Sequence, residues 1–183
     1  MRIVVDVNDE DYIAFNIAHQ FKGTEGAKNV RNFKTLFKAG LVISVILMIF
    51  VILETVLLNK FKFSDLSVAL VLAIYCIVIL ATFESRTKKR IRKKVEKYRK
   101  SGEHMYDSEA TFDLTDEMIM EYTPKSTTRR EWSDIKSIIM DEGHYYLMLG
   151  PMQGLIIPFR CLGDEMNTFL PYVQQKTGLE VIR

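Results

Sequence analysis

The 183-residue chain has little of what several function classes require. Its two cysteines, Cys76 and Cys161, stand in unrelated settings, so no disulfide framework is indicated. Free thiols suit a reducing compartment for the soluble part. There is no HExxH, no CxxC, no phosphate-binding glycine loop and no nucleophile elbow. His19 reads as a surface or packing residue, and His104 and His144 sit far apart with no patterned ligands. Cys161 has no evident base, and the carboxylates are dispersed on alternating positions that suit a solvated strand face. No catalytic residue, cofactor or metal site is expected. Nor is a cleavable signal peptide expected, because the start is acidic and mixed and the first apolar run begins near residue 39.

What is present is segregated. Residues 39–58 hold one charge, Glu54, and residues 66–83 hold none. A spanning helix needs about 20 apolar residues, and these runs supply 20 and 18. Both are apolar all round, unlike the one-sided helix of a soluble core. The short connector, residues 59–65, makes them an antiparallel hairpin, with Phe61 and Phe63 read as interfacial anchors. Lys28, Arg31, Lys34 and Lys38 precede the first run, ten Lys/Arg follow the second within residues 84–100, and only Lys60 and Lys62 lie between. Retention of positive charge on the side of synthesis then puts both termini in the cytoplasm and the connector outside. Gly40 and Ser44, like Ala69 and Ala73, have small-xxx-small spacing, which serves packing within the hairpin or dimerisation. Glu54, an ionisable group inside a span, is a functional candidate. The competing reading places it near the outer end, in reach of headgroups.

Residues 84–100 form a cationic helix with one narrow apolar face, Ile91, Val95 and Tyr98, read as a continuation of the second span. Orientation needs only a few of its charges. The excess points to anionic lipid contact by Lys88, Lys89, Arg90, Arg92, Lys93, Lys94 and Lys97, at about 1 kcal/mol per basic residue. Nucleic acid is not an expected partner, since no recognition fold accompanies the stretch.

Residues 1–27 read as a cytoplasmic strand, residues 2–7, and an amphipathic helix with acidic groups at its start. Residues 28–100 read as the hairpin with its basic extension. Residues 103–183 change to a period of two. Residues 109–115 and 117–123 form a hairpin, residues 124–128 a polar turn, and residue 130 onward a further extended stretch. Residues 135–140, 144–149 and 153–158 read as strands. A helix follows Gly163-Asp164 and ends at Gly178, with Pro171 inside it, before a last short strand in residues 179–182. The expected fold is a membrane helical hairpin plus an α+β domain: one strongly bent antiparallel sheet or partial barrel plugged by a terminal helix, pleckstrin-homology-like in element order. The strand at residues 2–7 could complete that sheet, with the hairpin as an insertion, but the sequence does not decide whether it joins.

Trp132-Ser133-Asp134-Ile135, then Tyr145-Tyr146-Leu147, then Ile156-Ile157-Pro158-Phe159-Arg160 ahead of a helix, resembles the bacterial YcxB-like membrane protein family. The layout of a short amino-terminal segment, two spans and this domain is similar as well. The resemblance implies a membrane protein with a pleckstrin-homology-like soluble domain and carries over no catalytic residue. Trp132 and Pro158 are read as structural, a core aromatic and a strand-ending turn.

Residues 103–183 carry 7 Lys/Arg against 14 Asp/Glu, while residues 1–102 carry 18 against 9. An acidic domain is a poor inositol-phosphate receptor, although Arg129, Arg130 and Arg160 are available to converge. The leading expectation is a non-enzymatic, membrane-anchored interaction or regulatory module of the bacterial inner membrane, partnered by lipids, by an unidentified protein and by a possible second copy. The alternatives are self-protection (immunity) against a membrane-acting peptide or toxin, and a small channel or transporter component using Glu54.

Overall fold

The computed structural model describes residues 1–58, 63–101, 106, 108–150 and 153–183. Connector residues 59–62, with Lys60, Phe61 and Lys62, lie outside the described residues, as do Gly102, His104, Pro151 and the side chain of Phe63. The chain divides into two compact units. One combines Met1–Ala27 with Ile91–Arg183, and the other is Lys28–Arg90.

The first unit starts with β1, Arg2–Asp6, and α1, Asp9–Lys22. Asn8 caps α1 through a reciprocal box: its Oδ1 accepts from Asp11 N at 3.0 Å, and Asp11 Oδ2 accepts from Asn8 N at 2.8 Å. Gly23 ends α1, and α2 runs Thr24–Leu58 straight through Gly26. After α3, Phe63–Lys100, come β2, Glu109–Leu114, β3, Met118–Tyr122, and β4, Thr127–Glu131. Then follow β5, Ser137–Met140, β6, His144–Gly150, β7, Gln153–Pro158, α4, Met166–Thr177, and β8, Val181–Ile182. Gly178, at φ +69°, closes α4 in the left-handed conformation that glycine adopts without strain.

The strands form two four-stranded sheets, ordered β1-β2-β3-β4 and β7-β6-β5-β8. This corrects the expected single, strongly bent sheet or partial barrel: the strands are shared between two sheets, and neither closes. The reason lies at Trp132–Asp134, expected to be extended but folded as a single 3-10 turn. A capping box between Glu131 and Asp134 satisfies the local backbone, so the ladder of β4 ends there. The expected polar turn at residues 124–128 is likewise shorter, since β4 begins at Thr127. β5 pairs with β6 on one side and with β8, in parallel, on the other.

β1 joins β2 antiparallel, with Ile3 opposite Phe112 and Val5 opposite Ala110. The amino-terminal strand therefore completes the first sheet across the whole inserted hairpin. A single core cluster gathers Val5, Phe112 and Ile119 from that sheet, Ile138, Tyr146 and Ile157 from the other, Phe15 from α1, and Phe169 and Val173 from α4. Four successive residues of β6, Tyr145 to Met148, are buried, which requires cover on both faces. Phe15 of α1 meets Tyr146 at 5.7 Å between ring centroids, and Phe169 of α4 meets Tyr145 at 5.3 Å. Neighbouring strand residues point to opposite faces, so α1 and α4 cover β6 from its two sides. Gly154 allows that approach of α1, since a Cβ there would lie 3.0 Å from the Phe15 ring.

In the second unit, the two long helices meet through small side chains. Ser44 and Ala69 are buried, and a Cβ on Gly40 would lie 3.1 Å from Cys76 Sγ. Phe33 stacks on Phe83 at 4.4 Å, and Lys34 Nζ donates to Glu84 at 2.8 Å. The small residues thus serve contact within the hairpin. Cys76 and Cys161 are both free thiols.

Phe169 is fully buried and in ring contact with β6. Phe169→Ala should cost about 3–5 kcal/mol of domain stability, the range for a buried aromatic truncated to leave a cavity. Chemical denaturation followed by near-ultraviolet circular dichroism would measure it.

Candidate functional site

The residues singled out in sequence fall in three places. Lys88, Lys89, Arg90, Arg92, Lys93, Lys94 and Lys97 all lie exposed on α3, which continues unbroken from the apolar run to Lys100. Arg92 pairs with Glu10 at 3.4 Å, and Arg99 with Asp9 at 3.2 Å, so acidic residues opening α1 meet two of the basic positions. Val95 of the narrow apolar face is buried. Glu54 is exposed on α2 and has no ion pair among the described residues. Trp132 is buried, donates from Nε1 to Thr115 O at 3.0 Å and meets Tyr172 edge-on at 5.7 Å. Pro158 is fully buried at the end of β7.

The three arginines do not converge. Arg130 donates to Glu121 Oε2 from Nε at 3.1 Å and Nη2 at 2.9 Å. Arg160 is committed elsewhere, in a polar cluster at the junction of α1, β6 and the turn after β7. There Asp11, 3% exposed, accepts from Arg160 Nη1 at 2.7 Å and Nη2 at 2.5 Å, and Arg160 Nη2 also reaches Asp6 O at 2.7 Å. His144 Nε2 lies 2.8 Å from Asp11 Oδ1, and its Nδ1 lies 3.0 Å from Asp141 Oδ1. Tyr146 Oη donates to Asp141 Oδ2 at 2.5 Å, and Gly143 N donates to Asp141 Oδ1 at 2.9 Å.

Two carboxylates face the two ring nitrogens, and a carboxylate only accepts, so the arrangement favours the doubly protonated imidazolium of His144. The four charges then sum to zero, the condition for burying them together. Burial pushes the Asp11 carboxyl up, but hydrogen bonds from Arg160, Asn8 N and His144 outweigh it and hold the group at about 2. Burial pushes the His144 imidazole down, and the hydrogen bonds to Asp141 and Asp11 more than reverse it, so the net shift is upward. The Tyr146 phenol is raised, by burial first and by Asp141 second. Each charged side chain of the cluster is engaged by another member of it, and among the described residues no three His, Cys, Asp or Glu side chains are placed to hold a metal ion. The chemistry of the cluster is that of a clamp.

Sequence reading missed this cluster. Asp11 was visible only as a helix-start residue and His144 only as a strand residue; no spacing signal links positions 133 residues apart.

The family model described as YcxB-like protein matches residues 114–170. The segment is YcxB-like. It runs from the end of β2 into α4, with the two long apolar helices upstream. The YcxB-like segment supplies Asp141, His144, Tyr146 and Arg160, while Asp11 comes from outside it. No curated protein and no solved structure matches the chain.

Arg160→Met leaves the Asp11 carboxylate buried without its guanidinium and should cost about 3 kcal/mol, whereas Asp11→Leu/Arg160→Met should recover much of that loss. Equilibrium unfolding of the three proteins would decide it.

The cluster also sets a pH window. The His144 contribution is complete below its ordinary value of 6.5 and is lost as pH rises through the raised folded value. The Asp11 contribution is complete above its ordinary 3.8 and is lost as pH falls towards about 2. Thermal melts across pH should fall at both ends, and His144→Gln should remove the alkaline fall while keeping the acidic one.

Proposed function

We propose that the chain is a non-enzymatic, membrane-anchored interaction module of a bacterial inner membrane, with both termini in the cytoplasm. One observation carries the reading. The most apolar stretches of α2 and α3 are only 6% and 11% buried, leaving side chains such as Ile46, Phe50, Val71 and Ile74 exposed. A core helix of a soluble protein would be mostly covered. So much continuous exposed apolar surface calls for hydrocarbon as its solvent.

The β1–β2 pairing adds a topological argument. The segments before and after the hairpin belong to one domain, so both emerge on one side of any bilayer. An even number of crossings fits that arrangement, and two spans supply it. The flanking lysines and arginines make that side the cytoplasm. The exposed basic face of α3 supports contact with anionic headgroups. Four antiparallel strands, three more and a terminal helix support a pleckstrin-homology-like domain suited to binding rather than to chemistry.

The expected result of alkaline carbonate extraction is retention in the membrane fraction, and epitope tags at either end should be protected in intact spheroplasts. Release by carbonate would end the anchor reading. Protease access to either tag in intact spheroplasts would end the orientation.

A further inference from the structure

Beyond its apolar run, α3 has two unlike faces. Val95 is buried, Arg92 reaches Glu10 and Arg99 reaches Asp9, so one side of the helix meets α1. At about 100° per residue, Lys93 and Lys97, each two residues from Val95, stand on the opposite side. They belong to a row, Arg86, Arg90, Lys93, Lys97 and Lys100, separated by four, three, four and three residues, the spacing that keeps side chains on one helix face. All five are exposed. Among the described residues none of the five forms an ion pair. Within the segment, Glu96 borders the row and Glu84 is taken by Lys34. Like charges at this spacing destabilise a helix, so helix stability does not account for the row.

Headgroups account for its start alone. With the apolar run in a bilayer, Lys97 lies about 21 Å beyond Phe83 along the unbroken helix, at about 1.5 Å per residue. At a tilt of about 40°, the steep end of the usual range, that is still about 16 Å from the surface. The field of anionic lipid falls off within a Debye length, about 8 Å. The outer cations therefore need an anionic partner in the aqueous phase. A second α-helix repeats at the same interval as the row, so carboxylates spaced four and three residues apart stay in step with it. A second copy offers no such helix: α1 is acidic only in its first turn, α2 holds only Glu25 and Glu54, and α4 has no Asp or Glu. Single-stranded nucleic acid is held by aromatic stacking as well as by charge, and the one aromatic residue of the segment, Tyr98, lies off the row.

We infer that this cationic row docks an acidic helix of a partner protein, whose carboxylates pair with Arg90, Lys93, Lys97 and Lys100. The inference rests on the reading of the chain as a membrane-anchored interaction module and names the class of its partner. The test places the full chain in phosphatidylcholine nanodiscs. The probes are a labelled helical peptide with glutamates four and three residues apart, and an isomer of the same composition with its glutamates scattered round the helix. Fluorescence polarisation is read against empty nanodiscs, then repeated in discs containing phosphatidylglycerol and with oligothymidylate as competitor. The ordered peptide should bind saturably, more tightly than its isomer, and as well in anionic discs. Arg90→Gln/Lys93→Gln/Lys97→Gln should weaken it about tenfold through the loss of three exposed pairs, with helix content and thermal unfolding unchanged. Lys93→Glu should weaken it as well, and decides the matter if the triple variant does not fold. No saturable binding, equal affinity for the two peptides, unchanged affinity in the variants, loss of binding in anionic discs, or displacement by equimolar oligothymidylate would each overturn the inference. Failure to bind with full retention in carbonate would sink this inference alone; binding by a chain that carbonate releases would sink the anchor alone.

Discussion

A carboxylate taken out of water must be matched, and the match for Asp11 determines how this domain is put together. An isolated buried carboxylate costs several kcal/mol even after relaxation. Asp11 avoids that cost by meeting Arg160 and His144, which the chain supplies only after the hairpin has been made. The residues that solve its burial therefore fix α1 against β6 and the turn after β7. With α1 fixed, Phe15 reaches Tyr146 and Lys22 Nζ reaches Met140 O at 2.9 Å. Asp11 also closes the capping box with Asn8, so one side chain sets both the start of the helix and its docking.

The consequence is a domain that opens to admit a hairpin. The chain leaves the packed unit at Ala27 and re-enters it at Ile91. Either side of that insertion, the backbone is stitched by Met1 N to Leu114 O at 3.0 Å and Val7 N to Ser108 O at 2.6 Å. Loop-closure entropy grows only with the logarithm of loop length, so an insertion of this size adds little beyond the first few residues. The ladder of β1 on β2 and the polar clamp can offset it.

Local physics was legible before the structure, and long-range chemistry was not. The alternation in β2 and β3, the capping residues at positions 8–11 and the glycine that ends α4 all declare themselves within a few residues, because strand pleat, helix dipole and positive φ are local constraints. The two apolar runs are visible for the same reason: hydrocarbon thickness is a property of one segment at a time. The division into two sheets escaped because it turns on whether Trp132 continues a strand or starts a 3-10 turn, and there the Glu131–Asp134 capping box closes the turn while the indole finds the distant Thr115 O. Arg160 was grouped with Arg129 and Arg130 by charge alone. Nothing near position 160 signals that its partner lies at position 11. The YcxB-like match shows the same limit, covering Arg160 and His144 but beginning about a hundred residues after Asp11, the carboxylate they share.

Order of synthesis makes the clamp more than a stability term. Ile3, Val5, Phe15 and Ala18 are all buried in the finished core, yet their partners on β2, β6 and β7 emerge only after both long helices. Until then the amino-terminal strand and helix hold an unpaired edge and an apolar face, the features that make nascent chains prone to wrong contacts. Acidic residues at the start of α1 temper this, since Asp9, Glu10 and Asp11 keep that end solvated. As α3 emerges, Arg99 and Arg92 are the first partners available to Asp9 and Glu10, and exposed pairs of this kind contribute about 1 kcal/mol or less each. Arg160 is the last member of the cluster in the chain, so the charges around Asp11 are matched in full only when the carboxy-terminal half is present.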